Sequence, residues 1–124
     1  MNHNENQVYK EALQFYKRSF QIIVDKIPPS WVHLDQTMRS LGSVPANIAE
    51  GYGRGEVMPK DKSQRYFQTI ANGSLCEFTA WLDIAVIHNV ITNVDANHLK
   101  DIAKRLSDMI IDDACKPKYL GVNL

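Results

Sequence analysis

Several features are absent from this sequence, and each absence excludes a class of protein. The 14 basic and 14 acidic residues cancel to a net charge of zero, which excludes the strong overall field that draws a basic protein onto nucleic acid. No apolar run approaches the roughly 20 residues that span a bilayer, and the polar start of the chain does not resemble a signal peptide. We therefore expect a cytoplasmic protein without a membrane segment.

Cysteine is scarce as well. Cys76 and Cys115 are the two cysteines among 124 residues, and they do not form a CxxC pair. Both fall inside helical patterns of a chain without an export signal. We therefore expect two reduced thiols that are packed in the fold, and no disulfide.

Motifs that carry catalysis or hold metals are missing too. The chain has four histidines without HExxH spacing, and none stands three or four residues from another histidine or a cysteine: His3, His33, His88 and His98. Gly51, Gly53 and Gly55 follow a predicted helix and lead to no GK[ST] sequence, so they indicate a helix end rather than a phosphate loop. Asp112 and Asp113 resemble solvated charges at a helix end more than an acid/base pair. We predict no enzyme activity, no metal and no cofactor.

What the sequence does contain is helical periodicity, because apolar residues recur every three or four positions in four segments. The segments are separated by two prolines, by a glycine- and proline-rich stretch and by a polar, turn-prone stretch. We predict a first helix that ends at Pro28-Pro29, a second from residues 30–35 to the glycines after Glu50, and a third from about Pro59 to His88. The fourth begins at a cap near Asn93 or Asp95 and ends at Lys116.

These four segments predict one all-α domain over residues 1–124, folded as an antiparallel up-down-up-down four-helix bundle. The length suits a single domain. Short flexible ends are expected at about residues 1–6 and 117–124. The third helix is the most apolar of the four, and we predict that it is the most buried.

A polar stripe runs along the predicted second helix. Its members are spaced by three or four residues, so they share one face: Arg39, Ser43, Asn47, Glu50 and Arg54. One interpretation is a solvated helix face. The other comes from pairing helices 2 and 3 across a loop near residue 57, which places Arg39 opposite Glu77 and Ser43 near Gly73. Because an unpaired buried charge is costly, this register predicts an Arg39–Glu77 salt bridge.

The same segments carry a family resemblance. RSLGSVPANIAEGYGR, from Arg39 to Arg54, followed by ANGSLCEF, from Ala71 to Phe78, resembles the signature of bacterial four-helix-bundle proteins named for ribosomal RNA intervening sequences. That family is related to the accessory variability determinant of diversity-generating retroelements. The resemblance implies a homopentameric ring without known catalysis. In the retroelement relatives, such a ring binds a reverse transcriptase and nucleic acid through a basic surface.

Basic residues on the first and fourth predicted helices are the best candidates for nucleic-acid contacts: Lys10, Lys17, Arg18, Lys100, Lys104 and Arg105. Chance placement of 14 basic residues explains them nearly as well, and Asp101 and Asp108 stand among them. We expect a ring-forming, non-enzymatic scaffold associated with RNA or a reverse transcriptase complex, with weak binding to nucleic acid of any sequence. The alternative is a structural or regulatory protein-binding module without a nucleic-acid role.

Overall fold

The computed structural model describes residues 6–57 and 63–115 of the chain. This part of the chain forms four helices: α1 (Gln7–Lys26), α2 (Leu34–Val57), α3 (Ser63–Ile87) and α4 (Asn93–Cys115). The all-α four-helix bundle is thereby confirmed. The predicted helix ends at Pro59 and Lys116, and the chain ends expected to be flexible, except for Asn6, lie outside the described residues.

Side-chain caps fix the starts of α1 and α4. The Asn6 side chain accepts hydrogen bonds from the backbone amides of Val8, at 2.8 Å, and Tyr9, at 3.2 Å, which satisfies two amides that have no partner inside the helix. At α4 the cap is Thr92, whose hydroxyl accepts from the amide of Asp95 at 3.1 Å. The cap that the sequence predicts near Asn93 or Asp95 thus lies at the residue before Asn93, which is itself helical, and Asp95 supplies the donor.

Neighbouring helices are antiparallel. Along α2 and α3, Ser43 contacts Ser74 whereas the later residue Tyr52 contacts the earlier residue Gln68. Partners on α3 and α4 also run in opposite directions, from Gln68 with Asp113 to Asp83 with Lys100. Each helix packs against two neighbours, so that α1 lies diagonally opposite α3, and α2 opposite α4.

The core lies between the four helices and contains side chains from each of them. At its centre Phe15 of α1 meets Phe78 of α3 edge to face, with ring centroids 5.5 Å apart. Helix α1 is antiparallel to α4, because Arg18 contacts His98 whereas the earlier residue Glu11 lines the same cavity as the later residue Met109. Since α3 is also antiparallel to α4, α1 and α3 point the same way. Residue 15 on α1 therefore lies level with residue 78 on α3.

The prediction that glycines 51 to 55 end the second helix is wrong, because α2 continues to Val57. Gly51 is buried where α2 meets α3. A Cβ atom there would lie 3.1 Å from the carbonyl oxygen of Gln64 and 3.2 Å from the Cβ of Phe67. The glycine therefore permits a close approach of two helices and does not terminate one.

Helix α3 is less enclosed than its composition predicts. It has seven buried residues whereas α2 has eight, so the expectation that α3 is the most buried helix is wrong. By length and composition alone, α3 is also the one helix in residues 6–57 and 63–115 that could cross a membrane, and 28% of its most apolar window is buried within this chain.

The two cysteines are placed differently from the prediction. Cys76 on α3 and Cys115 on α4 are unpaired but exposed, which corrects the expectation of packed thiols.

Candidate functional site

The central part of the stripe forms a polar seam between α2 and α3, made by Ser43, Asn47 and Ser74. The hydroxyl groups of Ser43 and Ser74 lie 2.8 Å apart, and the Asn47 amide donates to both the carbonyl oxygen and the hydroxyl of Ser43, each at 2.8 Å. The predicted register is nearly right, because Ser43 meets Ser74 and not Gly73. These hydrogen bonds satisfy the polar seam within the chain.

The predicted salt bridge between Arg39 and Glu77 is wrong. Arg39 pairs instead with Asp35, one turn earlier on α2, at 3.1 Å, and the side chain of Arg39 is 78% exposed. Glu77 accepts a hydrogen bond from the indole of Trp81 at 3.1 Å. Since both charges are exposed to solvent, neither needs a partner across the helix interface, and nearby residues on the same helix are reached more easily.

The end of the stripe is also satisfied locally. The Arg54 guanidinium pairs with Glu50 at 2.8 Å, and it lies over the ring of Phe67 on α3, 5.0 Å from the centroid. This cation–π contact joins α2 to α3 at the surface. All five stripe residues therefore have partners within the chain, which is the arrangement of a structural feature.

A partly buried network, which helical spacing does not reveal, links three helices at one end of the bundle. Tyr52 of α2 donates a hydrogen bond to Asp113 of α4, and the Gln68 amide of α3 donates to the same carboxylate at 2.6 Å and to the Tyr52 hydroxyl at 3.1 Å. Burial raises the pKa of Tyr52, and the hydrogen bond to Asp113 and its negative charge raise it further. Asp113 is thus not the solvated charge that the sequence predicts. Helical spacing alone could not bring these three residues together.

A second cluster missed in the sequence lies at the opposite end, where two histidines and two tryptophans meet. The rings of His33 and His88 stack with centroids 5.6 Å apart, and His33 also lies 5.0 Å from Trp81. The Trp31 indole donates to Nδ1 of His88 at 3.0 Å. The contacts tie the α1–α2 connection to α3. In the described part of the chain no group of three or more potential ligands could hold a metal ion.

The basic residues proposed for nucleic-acid contacts divide between two grooves. Arg18 lies between α1 and α4, where its Nε donates to His98 at 3.1 Å, and Arg105 lines the same groove beside a cavity of about 400 Å³. Lys100 faces α3 and pairs with Asp83 at 2.6 Å, while Lys104 pairs with Asp108 at 2.8 Å. Lys10 and Lys17 are exposed on α1. The six residues do not form one patch.

Two outer surfaces expose apolar or small side chains. The first, the α1 ridge, consists of Leu13, Phe20 and Val24, which are 41%, 40% and 63% exposed, with Phe20 stacked on Tyr16 at 5.9 Å. The second, the α3 outer face, follows helical spacing between the sides of α3 that meet α2 and α4. It carries exposed Tyr66 and Ile87 near its ends and exposed small or polar residues between them: Gly73, Cys76, Glu77 and Ala80.

Comparison with known proteins identifies the family. A sequence profile for the 23S rRNA-intervening sequence protein matches residues 4–112. The chain belongs to the 23S rRNA-intervening sequence protein family. The fold is similar to the crystal structure of a protein of unknown function from the S23 ribosomal protein family of Bacteroides thetaiotaomicron. That similarity has a TM-score of 0.73, at 20% sequence identity over 88% of this chain and 99% of the other. No curated protein matches the chain significantly.

Membership of the 23S rRNA-intervening sequence protein family is predicted correctly by the residues from Arg39 to Arg54 and from Ala71 to Phe78. These segments contain both sides of the polar seam, because Ser43 and Asn47 come from the first and Ser74 from the second. The first segment also contains Gly51, which packs against the backbone of Gln64. Gln64 lies between the two segments in the sequence. The family signature therefore coincides with the α2–α3 packing and describes the fold more than an active site.

Proposed function

We propose that this protein is a non-enzymatic, cytoplasmic scaffold that assembles into a homo-oligomeric ring, with five copies as the family resemblance implies. The ring associates with RNA, or with an RNA-bound partner such as a reverse transcriptase complex, and it binds nucleic acid weakly and without sequence preference. The relation to the accessory variability determinant of diversity-generating retroelements is part of this proposal. The family name, which refers to 23S rRNA, supports an RNA context.

The exposed apolar surface of the single chain carries the proposal. The most apolar helix, α3, has 28% of its apolar window buried within the bundle, and a second apolar surface lies on α1. Single exposed apolar residues are ordinary, but three exposed apolar side chains along α1, with a face of α3 that exposes Tyr66, Ile87 and small residues, are typical of a protein that buries them against a partner. Self-assembly buries both without a second gene product.

The charge distribution supports only weak nucleic-acid binding. Lys100 and Lys104 are each neutralised by an aspartate within 2.8 Å, so they are poor phosphate ligands. Arg18 and Arg105 in the α1–α4 groove are the better candidates, because Arg18 contacts the imidazole of His98 rather than a carboxylate. A ring presents several copies of this groove, and multivalent contact raises the affinity of a long strand.

The zero net charge and these paired lysines favour a second candidate function, a structural or regulatory protein-binding module without nucleic acid. The two functions share the ring and differ in its ligand. They are therefore separated by binding measurements and not by the oligomeric state.

Native mass spectrometry tests the assembly. We expect a principal species of five chains, each of 14.1 kDa, at micromolar concentration. A spectrum that contains the single chain alone would contradict the scaffold.

A salt titration with fluorescent RNA of increasing length tests the ligand. We expect the slope of log affinity against log salt to rise with length, by about 0.7 for each phosphate neutralised on a single strand. The variant Arg18→Glu with Arg105→Glu should abolish binding. The matched variant Lys100→Glu with Lys104→Glu makes the same change in charge but should reduce binding less. Absence of binding by the wild type at low salt would leave the protein-only module.

A further inference from the structure

The α1 ridge and the α3 outer face have complementary shapes. The ridge presents two large side chains, Leu13 and Phe20, separated by seven residues, which is two helical turns. The α3 outer face has small residues with the same separation, Gly73 and Ala80. A Cβ atom on Gly73 would have no neighbour within 4 Å. The α3 outer face therefore has open space where the ridge has bulk.

The two surfaces also lie at the same height along the axis of the bundle. Because Phe15 and Phe78 meet across the core and α1 and α3 point the same way, residue 13 lies level with residue 76, and residue 20 with residue 83. Copies related by rotation about an axis parallel to the helices keep these levels. The α1 ridge of one copy can then face the α3 outer face of the next without a shift along the helix axis.

At this level Leu13 and Phe20 each face a hole of the kind found in coiled coils, where a side chain enters a space between four residues of the facing helix. Leu13 falls at the centre of the hole made by Gly73, Cys76, Glu77 and Ala80. The hole for Phe20 is made by Ala80, Asp83, Ile84 and Ile87. The first hole is lined mostly by small side chains, so the two helices can approach closely there.

The charges are complementary as well. Lys17 lies between Leu13 and Phe20 along α1 and is exposed. At the same level it faces Ala80 of the next copy, one helical turn from the exposed carboxylate of Glu77. A cation beside the ridge thus meets the single acidic residue between Gly73 and Ala80, which favours this pairing over a pairing of two α3 faces, where Glu77 would meet its own copy.

The positions of the two surfaces allow a closed ring. They lie on diagonally opposite helices, so that each copy offers one surface to each neighbour, which is a head-to-tail interface. The ridge lies toward the α2 side of α1, because Phe20 stacks on Tyr16, and Tyr16 lies 3.9 Å from where a Cβ atom of Gly42 would be. The two surfaces are therefore not directly opposed, and each copy is rotated relative to the last.

We infer that the α1 ridge of one copy packs in parallel on the α3 outer face of the next, with Leu13 in the Gly73–Ala80 hole and Lys17 beside Glu77. This inference rests on the proposed ring, and it names the two surfaces that form it. The α1–α4 groove, with Arg18 and Arg105, is left outside the interface.

Disulfide trapping tests the inference, because the native Cys76 lines the hole that Leu13 enters. In the double variant Leu13→Cys with Cys115→Ser, oxidation by diamide should join Cys76 of one copy to the new thiol of the next. Covalent multimers should then form a ladder in steps of 14.1 kDa on a non-reducing gel. Within one chain the two thiols lie on opposite outer surfaces, and a disulfide requires Cα atoms closer than about 7 Å.

A matched control moves the new thiol to α4, in the double variant Asp101→Cys with Cys115→Ser, which should give no ladder. The charges are tested by Lys17→Glu, expected to weaken association about tenfold, and by adding Glu77→Lys, expected to restore it. Circular dichroism checks that each variant remains helical. An oligomer that forms no ladder would refute this interface and leave the proposed scaffold standing. A single chain at micromolar concentration would refute both.

Discussion

Gly51 and Gly73 are both helical glycines, but a neighbouring helix encloses Gly51 whereas Gly73 is exposed. Gly51 is buried at the contact of α2 with α3, where an added Cβ atom would lie 3.1 Å from a backbone oxygen, whereas Gly73 is exposed on the α3 outer face with nothing near it. The α2–α3 contact is closed by the polar seam and by the close approach at Gly51. The α3 outer face also contains small residues, but none of the other described helices packs against it. A contact completed within the chain therefore serves the fold, and an open one is available for assembly.

The largest effect, on assembly, is expected when a large side chain fills the open space on the α3 outer face. Gly73→Leu places a bulky side chain in the hole proposed for Leu13, so we expect the dissociation constant of the assembly to rise about 100-fold or more. The helical single chain should gain up to about 1 kcal/mol of stability, because leucine is a better helix former than glycine. Light scattering gives the mass, and urea unfolding gives the stability.

The control for this variant is Gly53→Leu, since Gly53 is also helical, exposed and without neighbours within 4 Å of an added Cβ atom. We expect it to keep the assembly. Equal loss of assembly in both variants would show that the effect is not specific to the α3 outer face.

The next effect concerns the closed side. Gly51→Ala adds a methyl group between two backbones, whereas Gly53→Ala adds one in open space. We expect Gly53→Ala to stabilise the fold by up to about 1 kcal/mol, and Gly51→Ala to be about 1–3 kcal/mol less stable than Gly53→Ala. Urea unfolding of the two variants measures the difference. Equal stability of the two variants would mean that the α2–α3 contact can accommodate a methyl group at Gly51. Gly51 would then not be more crowded than Gly73 in any way that affects stability.

A smaller effect is expected from the partly buried network at Tyr52, and it depends on pH. The folded state raises the pKa of Tyr52, so above about pH 10 the unfolded chain releases this proton while the folded chain retains it. Stability due to this group is present below pH 10 and falls above it, by up to about 1.4 kcal/mol per pH unit. Urea unfolding should show a steeper loss between pH 10 and 11.5 for the wild type than for Tyr52→Phe. Parallel curves would contradict a Tyr52 that is held neutral.

The smallest effect is expected at Arg39. Its partner Asp35 lies one turn away, and both side chains are largely exposed, so Arg39→Ala should cost about 0.5 kcal/mol or less. Combined with Glu77→Ala, the change in the unfolding free energy should be additive, because the two charges do not contact each other. A coupling energy above about 1 kcal/mol between Arg39 and Glu77 would show that the two residues interact across the helices, which would contradict the structure.

The sequence predicts the fold well because helical periodicity is a local property. The apolar spacing gives all four helices, and the α2–α3 register deduced from the loop is wrong by one residue at Ser43. Properties that depend on several helices are harder to predict. The partner of Asp113 comes from α2 and α3, and His33 and His88 meet although they lie far apart in the chain. Arg39 and Glu77 are mispaired because helical position does not tell how exposed each side chain is.

The glycines illustrate the same limit. In the sequence, the glycines at 51, 53 and 55 indicate a helix end, because glycine is a poor helix former. In the structure the packing of α3 on α2 overrides this preference, and the helix continues to Val57. Whether a helical glycine is crowded or open is decided by a neighbouring helix, which the sequence of one segment does not contain.

Sedimentation equilibrium of the wild type beside Gly73→Leu, from 1 to 50 µM, tests most directly whether the open surfaces of this chain are assembly surfaces. We expect the wild type to sediment as one species of roughly 70 kDa, five times the 14.1 kDa chain, and Gly73→Leu to sediment mainly as the single chain. A wild type of 14.1 kDa throughout this range would contradict the assembly. An oligomer unaffected by Gly73→Leu would show that another surface forms it.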